Sequence, residues 1–238
     1  MKRLVIRVLF VPALPLYLFV YLFLFQPAWL IGSLQQASPD VLFSVATTEK
    51  VVALSIDDGP SATTTAELLT LLALHDSHAT FFLLSDNIQG NETLVEAMVQ
   101  QGHEIGNHST VDEASVSLSA ADFEQKLMRA NQTLAPYQQP GWFRPGSGVY
   151  DGEMLEILHE HGYRCALGSV HPLDPQIPSE RFATWYLLEH IQPGDIIILH
   201  DGPERGQRTI NVLATVLPQL ERQGYEVVTI SELVARAP

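Results

Sequence analysis

Val51-Val52-Ala53-Leu54-Ser55-Ile56-Asp57-Asp58-Gly59-Pro60 is the stretch on which the fold turns. An unbroken apolar run that stops on two carboxylates and a Gly-Pro turn reads as a strand buried on both faces, polar only at its exit. A strand buried on both faces needs helices over the sheet, and the chain downstream supplies them. Helical period takes over at 63–74. Further strands are predicted at 79–84, 103–106, 141–143, 163–167, 195–199 and 226–230. Helices are predicted between them at 92–101, 120–134, 152–161, 180–191 and 209–222, with a closing turn at 232–235. Gly102, Gly162, Gly194 and Gly224 fall where a helix should hand over to the next strand, as C-terminal caps. About seven strand–helix units imply an α/β domain built on a parallel sheet. An open doubly wound sheet and a closed, distorted (β/α) barrel both satisfy that pattern. A barrel would carry its active residues just after the strand ends.

Ahead of this domain, no charged side chain occurs from Val8 to Leu34, and Leu, Val, Phe and Tyr dominate. A window of that length crosses a hydrocarbon core of roughly 30 Å. Lys2, Arg3 and Arg7 precede it, which places the N-terminus in the cytoplasm and the rest outside. The expected organisation is a cytoplasmic stub and transmembrane signal-anchor helix over 1–34, a linker over 35–48, and the globular domain over 49–238. A cleaved signal peptide is the competing reading, although the window is long for one and Gln35-Gln36-Ala37 makes a poor cleavage site. Three of the 13 basic residues precede the window and all 27 acidic ones follow it, leaving the domain about −17 in formal charge. Such a domain repels phosphate backbones, so nucleic acid is not an expected partner. The single cysteine, Cys165, has no intramolecular disulfide partner and reads as a packed strand residue.

The strand ends carry an unusual set of polar residues. Asp57 and Asp58 leave the first strand pointing in different directions, so they can hold different roles. Taken alone, Asp-Asp-Gly-Pro is equally an acidic turn. His108 follows the strand at 103–106, with Asp112 four residues on; together with Asp58 across the sheet they make a credible metal site. Arg144 follows Trp142-Phe143 and precedes Pro145-Gly146. Asp174 comes after the strand at 163–167, and His200-Asp201-Gly202 follows that at 195–199. Five strand ends bearing Asp, His, Arg, Asp and His are hard to explain by packing.

In their order these residues resemble the five motifs of the polysaccharide deacetylases, the NodB-homology family also called carbohydrate esterase family 4. The motifs stand here as Ser55-Ile56-Asp57-Asp58-Gly59-Pro60, His108-Ser109-Thr110-Val111-Asp112, Arg144-Pro145-Gly146, His171-Pro172-Leu173-Asp174-Pro175 and Ile198-Leu199-His200-Asp201, spanning 50 to about 205. The resemblance implies a distorted (β/α) barrel and removal of acetyl groups from N-acetylglucosamine units of peptidoglycan, a chitin-like glycan or an exopolysaccharide. It implies Asp57 as general base, Arg144 as its partner, His200 as general acid and Asp174 as the residue that orients and charges His200. It further implies one divalent ion (zinc, cobalt, manganese, nickel or iron) on Asp58, His108 and position 112, with Ile198, Pro145 and Ser147 around the acetyl pocket. An amide is a poor electrophile and its nitrogen cannot leave as an anion, so the chemistry requires a polarising ion, a base and an acid.

Three positions depart from the pattern. Asp112 stands where the second metal-binding His is common, which makes the site harder and more anionic and should loosen any preference for zinc. His171 and Pro175 replace the first Asp and the Trp of the fourth motif, and the Trp ordinarily lines the sugar groove. Ser147 stands where many members have a Tyr, leaving a backbone N–H to serve at the oxyanion. Two other classes stay open: a catalytically silent glycan-binding domain, and a metal hydrolase of a non-sugar amide.

Overall fold

The structure, a computed structural model, describes residues 15–18, 21, 22 and 24–237. Its spine is β2 (Val51–Asp57), buried at all seven positions. The strand period of two sorts these residues between two environments. Val52, Leu54 and Ile56 pack outward into the main core beneath the helices. Val51 and Ala53 face inward with Phe82, Trp142, Ala166, Ile196 and Val228, and the same alternation turns Ser55 and Asp57 to the inside.

Beside β2 come β3 (Ala79–Leu83), β4 (Glu104–Asn107), β5 (Trp142–Phe143) and β6 (Arg164–Ala166), with β1 (Val41–Leu42) against β6. β7 (Ile196–His200) pairs with the second half of β2, and β8 (Glu226–Val228) with its first half. Every pairing is parallel. Single bridges from Val170 to Ile197 and from Ser44 to Asp195 then tie the chain after β6 and β1 back to β7. The sheet therefore curls on itself, and of the two architectures the alternation allowed it is the distorted barrel that forms.

The helices are α1 (Ala28–Ala37), α2 (Thr65–Leu74), α3 (Glu92–Gln100), α4 (Ala120–Leu134), α5 (Gly152–Glu160), α6 (Glu180–His190), α7 (Arg205–Gln223) and α8 (Ile230–Ala235). Their starts are written locally. Ser119, Asp151 and Ser179 each accept a backbone N–H of the first turn, and Thr229 with Glu232 forms a capping box. Gly224, at φ 80°, closes α7 as expected. Gly194 does something else. It lies four residues past α6, at φ 84°, and a Cβ there would meet the Val45 carbonyl at 1.8 Å. Its role is a close approach between two segments of the chain, not a helix cap.

One expectation about the N-terminal third is corrected. The stretch 35–48 is not a linker: it contributes β1, and Val41, Phe43 and Val45 are buried. Burial alternates along it, with Leu42 and Ser44 only half-buried between those three, which makes a short strand instead of a solvated tether. The expected transmembrane helix over 8–34 falls partly outside the described residues, at 8–14, 19, 20 and 23. Among the described residues, no helix is long and apolar enough to cross a membrane. The described end of that window turns at Gln26, φ 39°, and Pro27 opens α1, as a residue with fixed φ and no N–H suits a helix start. Ile31 then packs with Phe43, Phe123 and Phe143. The last third of the apolar window thus belongs to the domain.

Candidate active site

The site lies at the C-terminal end of the strands and begins with a register pair. β2 and β7 align Asp57 with His200 and Ser55 with Ile198, so base and acid candidates sit side by side, both on the inner face. Arg144, leaving β5, runs under them. Its Nη1 donates to Asp57 Oδ1 at 2.6 Å and to Ser55 Oγ at 2.8 Å, its Nε to the Ala166 carbonyl at 3.0 Å, and its guanidinium lies 4.1 Å over the Phe82 ring. Asp57 and Arg144 are both about 97% buried, each 3% exposed, and a charge so placed persists only when paired.

On the other side of His200, Nδ1 donates to Asp174 at 3.0 Å. Burial works to lower the His200 pKa, but the Asp174 contact, with Asp57 and Asp58 behind it, outweighs burial and raises it. Asp174 is 5% exposed. Burial works to raise its pKa, yet His171 and His200 hold the carboxyl well below the usual range. The anion and the imidazolium stabilise each other, and Nε2 of His200 stays free to face a substrate.

The cation side is built differently. His108 Nδ1 lies 2.7 Å from the Arg144 carbonyl. A carbonyl only accepts, so Nδ1 carries a ring proton, and Nε2 faces Asp58 Oδ1 at 3.5 Å. Asp58 takes a left-handed backbone, φ 73°, as do Ser109, Ser147 and Leu173 in the neighbouring loops. Such conformations cost on the order of 1–3 kcal/mol each and gather where a site fixes them. Burial raises the Asp58 pKa, with the His108 contact opposing. Asp112 does not close the set. Its side chain is 56% exposed, and Arg205 lies between the two acids, Nη1 at 2.7 Å from Asp58 Oδ2 and 3.9 Å from Asp112 Oδ2. A carboxylate and an imidazole Nε2 facing across 3.5 Å, with a cationic group at the carboxylates, fit a divalent ion. Asp58 and His108 would hold it, and Asp112 lies on the far side of Arg205.

The cleft is about 540 Å³ and is lined by Asp57, Asp58, His108, Asp112, Arg144 and His200. Pro145, Ser147 and Ile198 line it too, as expected of the acetyl pocket, and so do His171 and Pro175. Gly168, φ 118°, keeps the floor beside Ile198 open, since a Cβ there would lie 2.9 Å from Ile198 Cγ1. Leu22, Leu30, Ile31 and Leu34 add an apolar wall from the N-terminal segment. A larger cavity of about 800 Å³ lies between that segment and Gln192–Asp195 and touches none of the catalytic set.

Three contributors escaped the sequence reading. Asp201 fastens the Asp58-Gly59 turn: Thr64 and Thr65 donate their hydroxyls to its carboxylate, and its own N–H donates to the Asp57 carbonyl at 2.8 Å. The Thr63-Thr64-Thr65 run at a helix start was the available signal. Arg205 was hidden because helix was expected only from residue 209, although Pro203 marks an earlier start. The apolar wall was assigned to the membrane segment alone.

A sequence model of the family described as polysaccharide deacetylase matches residues 44–166, just over half of the chain. The chain belongs to the polysaccharide deacetylase family. The match contains Asp57, Asp58, His108, Asp112 and Arg144; Asp174 and His200 lie beyond it, and their pairing rests on the 3.0 Å contact. The chain is similar to a peptidoglycan-N-acetylglucosamine deacetylase of Bacillus cereus, 34% identical over 197 residues covering 82% of this chain and 92% of the relative. It is also similar to a chitooligosaccharide deacetylase of Bradyrhizobium sp., 27% identical over 196 residues covering 76% and 90%. Among solved structures, that of a peptidoglycan N-acetylglucosamine deacetylase superposes with a TM-score of 0.78 at 26% identity, over 84% of this chain and 95% of that one. Like its family, this deacetylase-family chain is a hydrolase of carbon–nitrogen bonds other than peptide bonds.

Proposed function

We propose that this protein is a metal-dependent hydrolase that removes N-acetyl groups from N-acetylglucosamine units of an extracytoplasmic glycan. The observation that carries the reading is the alignment of Asp57 with His200 across β2 and β7, each locked by its own partner, Arg144 or Asp174. A divalent ion on Asp58 and His108, joined by Asp112, would polarise the acetyl carbonyl and acidify the attacking water. Everything else falls to the protein. Arg144 grips Oδ1 of Asp57 and leaves Oδ2 to take the proton of the water as its oxygen bonds to the carbonyl carbon. His200, protonated and aimed by Asp174, gives its Nε2 proton to the sugar nitrogen as the carbon–nitrogen bond breaks. Acetate and a free amine leave. Ile198, Pro145 and Ser147 bound the space for the methyl group.

Acetate release from acetylated chito-oligosaccharides and from peptidoglycan tests the reading, with Asp57→Ala as control. No release from either, with metal bound, would favour a silent glycan-binding domain; release only from simple amides would favour a non-sugar substrate.

The same proposal places the catalytic domain outside the cytoplasm, anchored through the apolar window. Support comes from the uncharged stretch 8–34 behind Lys2, Arg3 and Arg7. Fractionation of cells expressing the full chain tests it, and a mature N-terminus near Ser38 would replace the anchor by a cleaved signal.

A further inference from the structure

Asp174 has a second imidazole at its carboxylate that the proposed mechanism does not use. Nε2 of His171 lies 3.6 Å from Asp174 Oδ1, the same oxygen that His200 Nδ1 approaches at 3.0 Å. At 3.6 Å His171 is past hydrogen-bond range, and its Nε2 is buried without a hydrogen-bond partner. A buried polar atom left unsatisfied costs on the order of 1–3 kcal/mol. One donor atom from each of His171, Asp174 and His200 lies within 4.8 Å of the other two. Donors around a tetrahedral ion with bonds of about 2.0–2.1 Å sit roughly 3.3–3.4 Å apart, between the two distances found here.

We propose that His171, Asp174 and His200 form a second divalent-cation site, separate from Asp58 and His108, that takes a borderline ion such as zinc and inhibits the enzyme when filled. Two imidazoles and one carboxylate make a donor set suited to zinc, with the cleft supplying water as fourth ligand. The carboxyl of Asp174 is already held ionised by its two histidines, so the anionic ligand stands ready. To coordinate, His200 gives up its Nδ1 proton to solvent. The imidazole bound through Nδ1 keeps only its Nε2 proton, and a neutral imidazole is a far weaker acid than imidazolium, so it protonates the leaving amine poorly. The ion thus weakens the acid without touching the base, and the residue that creates the site is His171, the departure from the family's fourth motif.

The binding half of this proposal is independent of substrate; the inhibitory half rests on the deacetylase reading. Full-length protein, stripped with a chelator and titrated calorimetrically with zinc, should bind two tight equivalents. His171→Asn and Asp58→Asn should each bind one, and melting temperatures establish that the variants are folded. His171→Gln repeats the test should the Asn variant melt early. With acetylated chito-oligosaccharide, zinc beyond the first equivalent should slow wild type at least tenfold and His171→Asn less than twofold. One tight equivalent in wild type, or two in a folded His171 variant, overturns the site. Two equivalents with no acetate release at any zinc level would instead overturn the deacetylase reading and leave the site standing.

Discussion

The two halves of the cleft solve the problem of buried charge in opposite ways. On the acid side, the Asp174 carboxylate is 5% exposed with an imidazole at either hand, and its charge is answered within the protein. On the cation side, Asp58 and Asp112 bring two carboxylates to the neighbourhood of the His108 imidazole, and Arg205, 37% exposed, supplies the countercharge. One half carries its own countercharges; the other holds the Arg205 guanidinium where a divalent ion fits. A site can therefore have a rigid proton donor and an adjustable electrophile, and substitutions on the two sides should have separable effects.

The largest effect should come from breaking the acid side alone. His200→Ala should lower kcat by about 10²–10⁴, the usual worth of a positioned proton-transfer group, with the ion on Asp58 and His108 still present by mass spectrometry. Equal losses of rate and metal would mean that the two halves are one unit. Weakening the same side without emptying it should move pH dependence. Because Asp174 raises the His200 pKa, the protonated acid survives to higher pH; Asp174→Asn removes that support. Its alkaline limb should begin at lower pH than wild type, with the acidic limb in place, in a kcat profile. An alkaline limb that does not move detaches His200 from the donor role.

On the cation side the expected effects are smaller and of opposite sign. Arg205→Gln removes the competing cation, and a partly exposed ion pair is worth roughly 1 kcal/mol or less. Divalent-ion affinity, measured by chelator competition, should therefore rise a few-fold, up to about fivefold. A fall in affinity would show Arg205 holding the acids in position instead of competing for them. Asp112→His should change total affinity least and shift selectivity toward zinc over manganese, since imidazole is the softer ligand. Unchanged selectivity would remove Asp112 from the ion's surroundings.

Most of the scaffold was legible because it is written in short-range terms. Seven of the eight strands and the helices from α2 to α7 follow from apolar runs, from helical period and from glycine caps such as Gly224. The motif residues were legible because each lies within a few residues of a strand end. What the sequence hid depends on neighbours far along the chain. That Asp57 aligns with His200 requires β7 to lie beside β2. Choosing barrel over open sheet required the Val170–Ile197 bridge. β1 is two residues long in a polar setting, too short for periodicity to register. Arg205 was lost to a boundary error of four residues, enough to move a cation into the cleft.

Gln26 has a consequence for geography. Its side-chain amide donates to the His171 carbonyl at 3.1 Å, so the apolar window ends against the catalytic cleft itself. If residues 8–21 enter a bilayer, those fourteen residues span about 21 Å as a helix, less than one hydrocarbon thickness. No slack remains between lipid and cleft. The enzyme would then work on a leash of almost zero length, reaching only the sugars nearest the headgroups, and proximity more than groove shape would choose which residues of a glycan lose their acetyl groups.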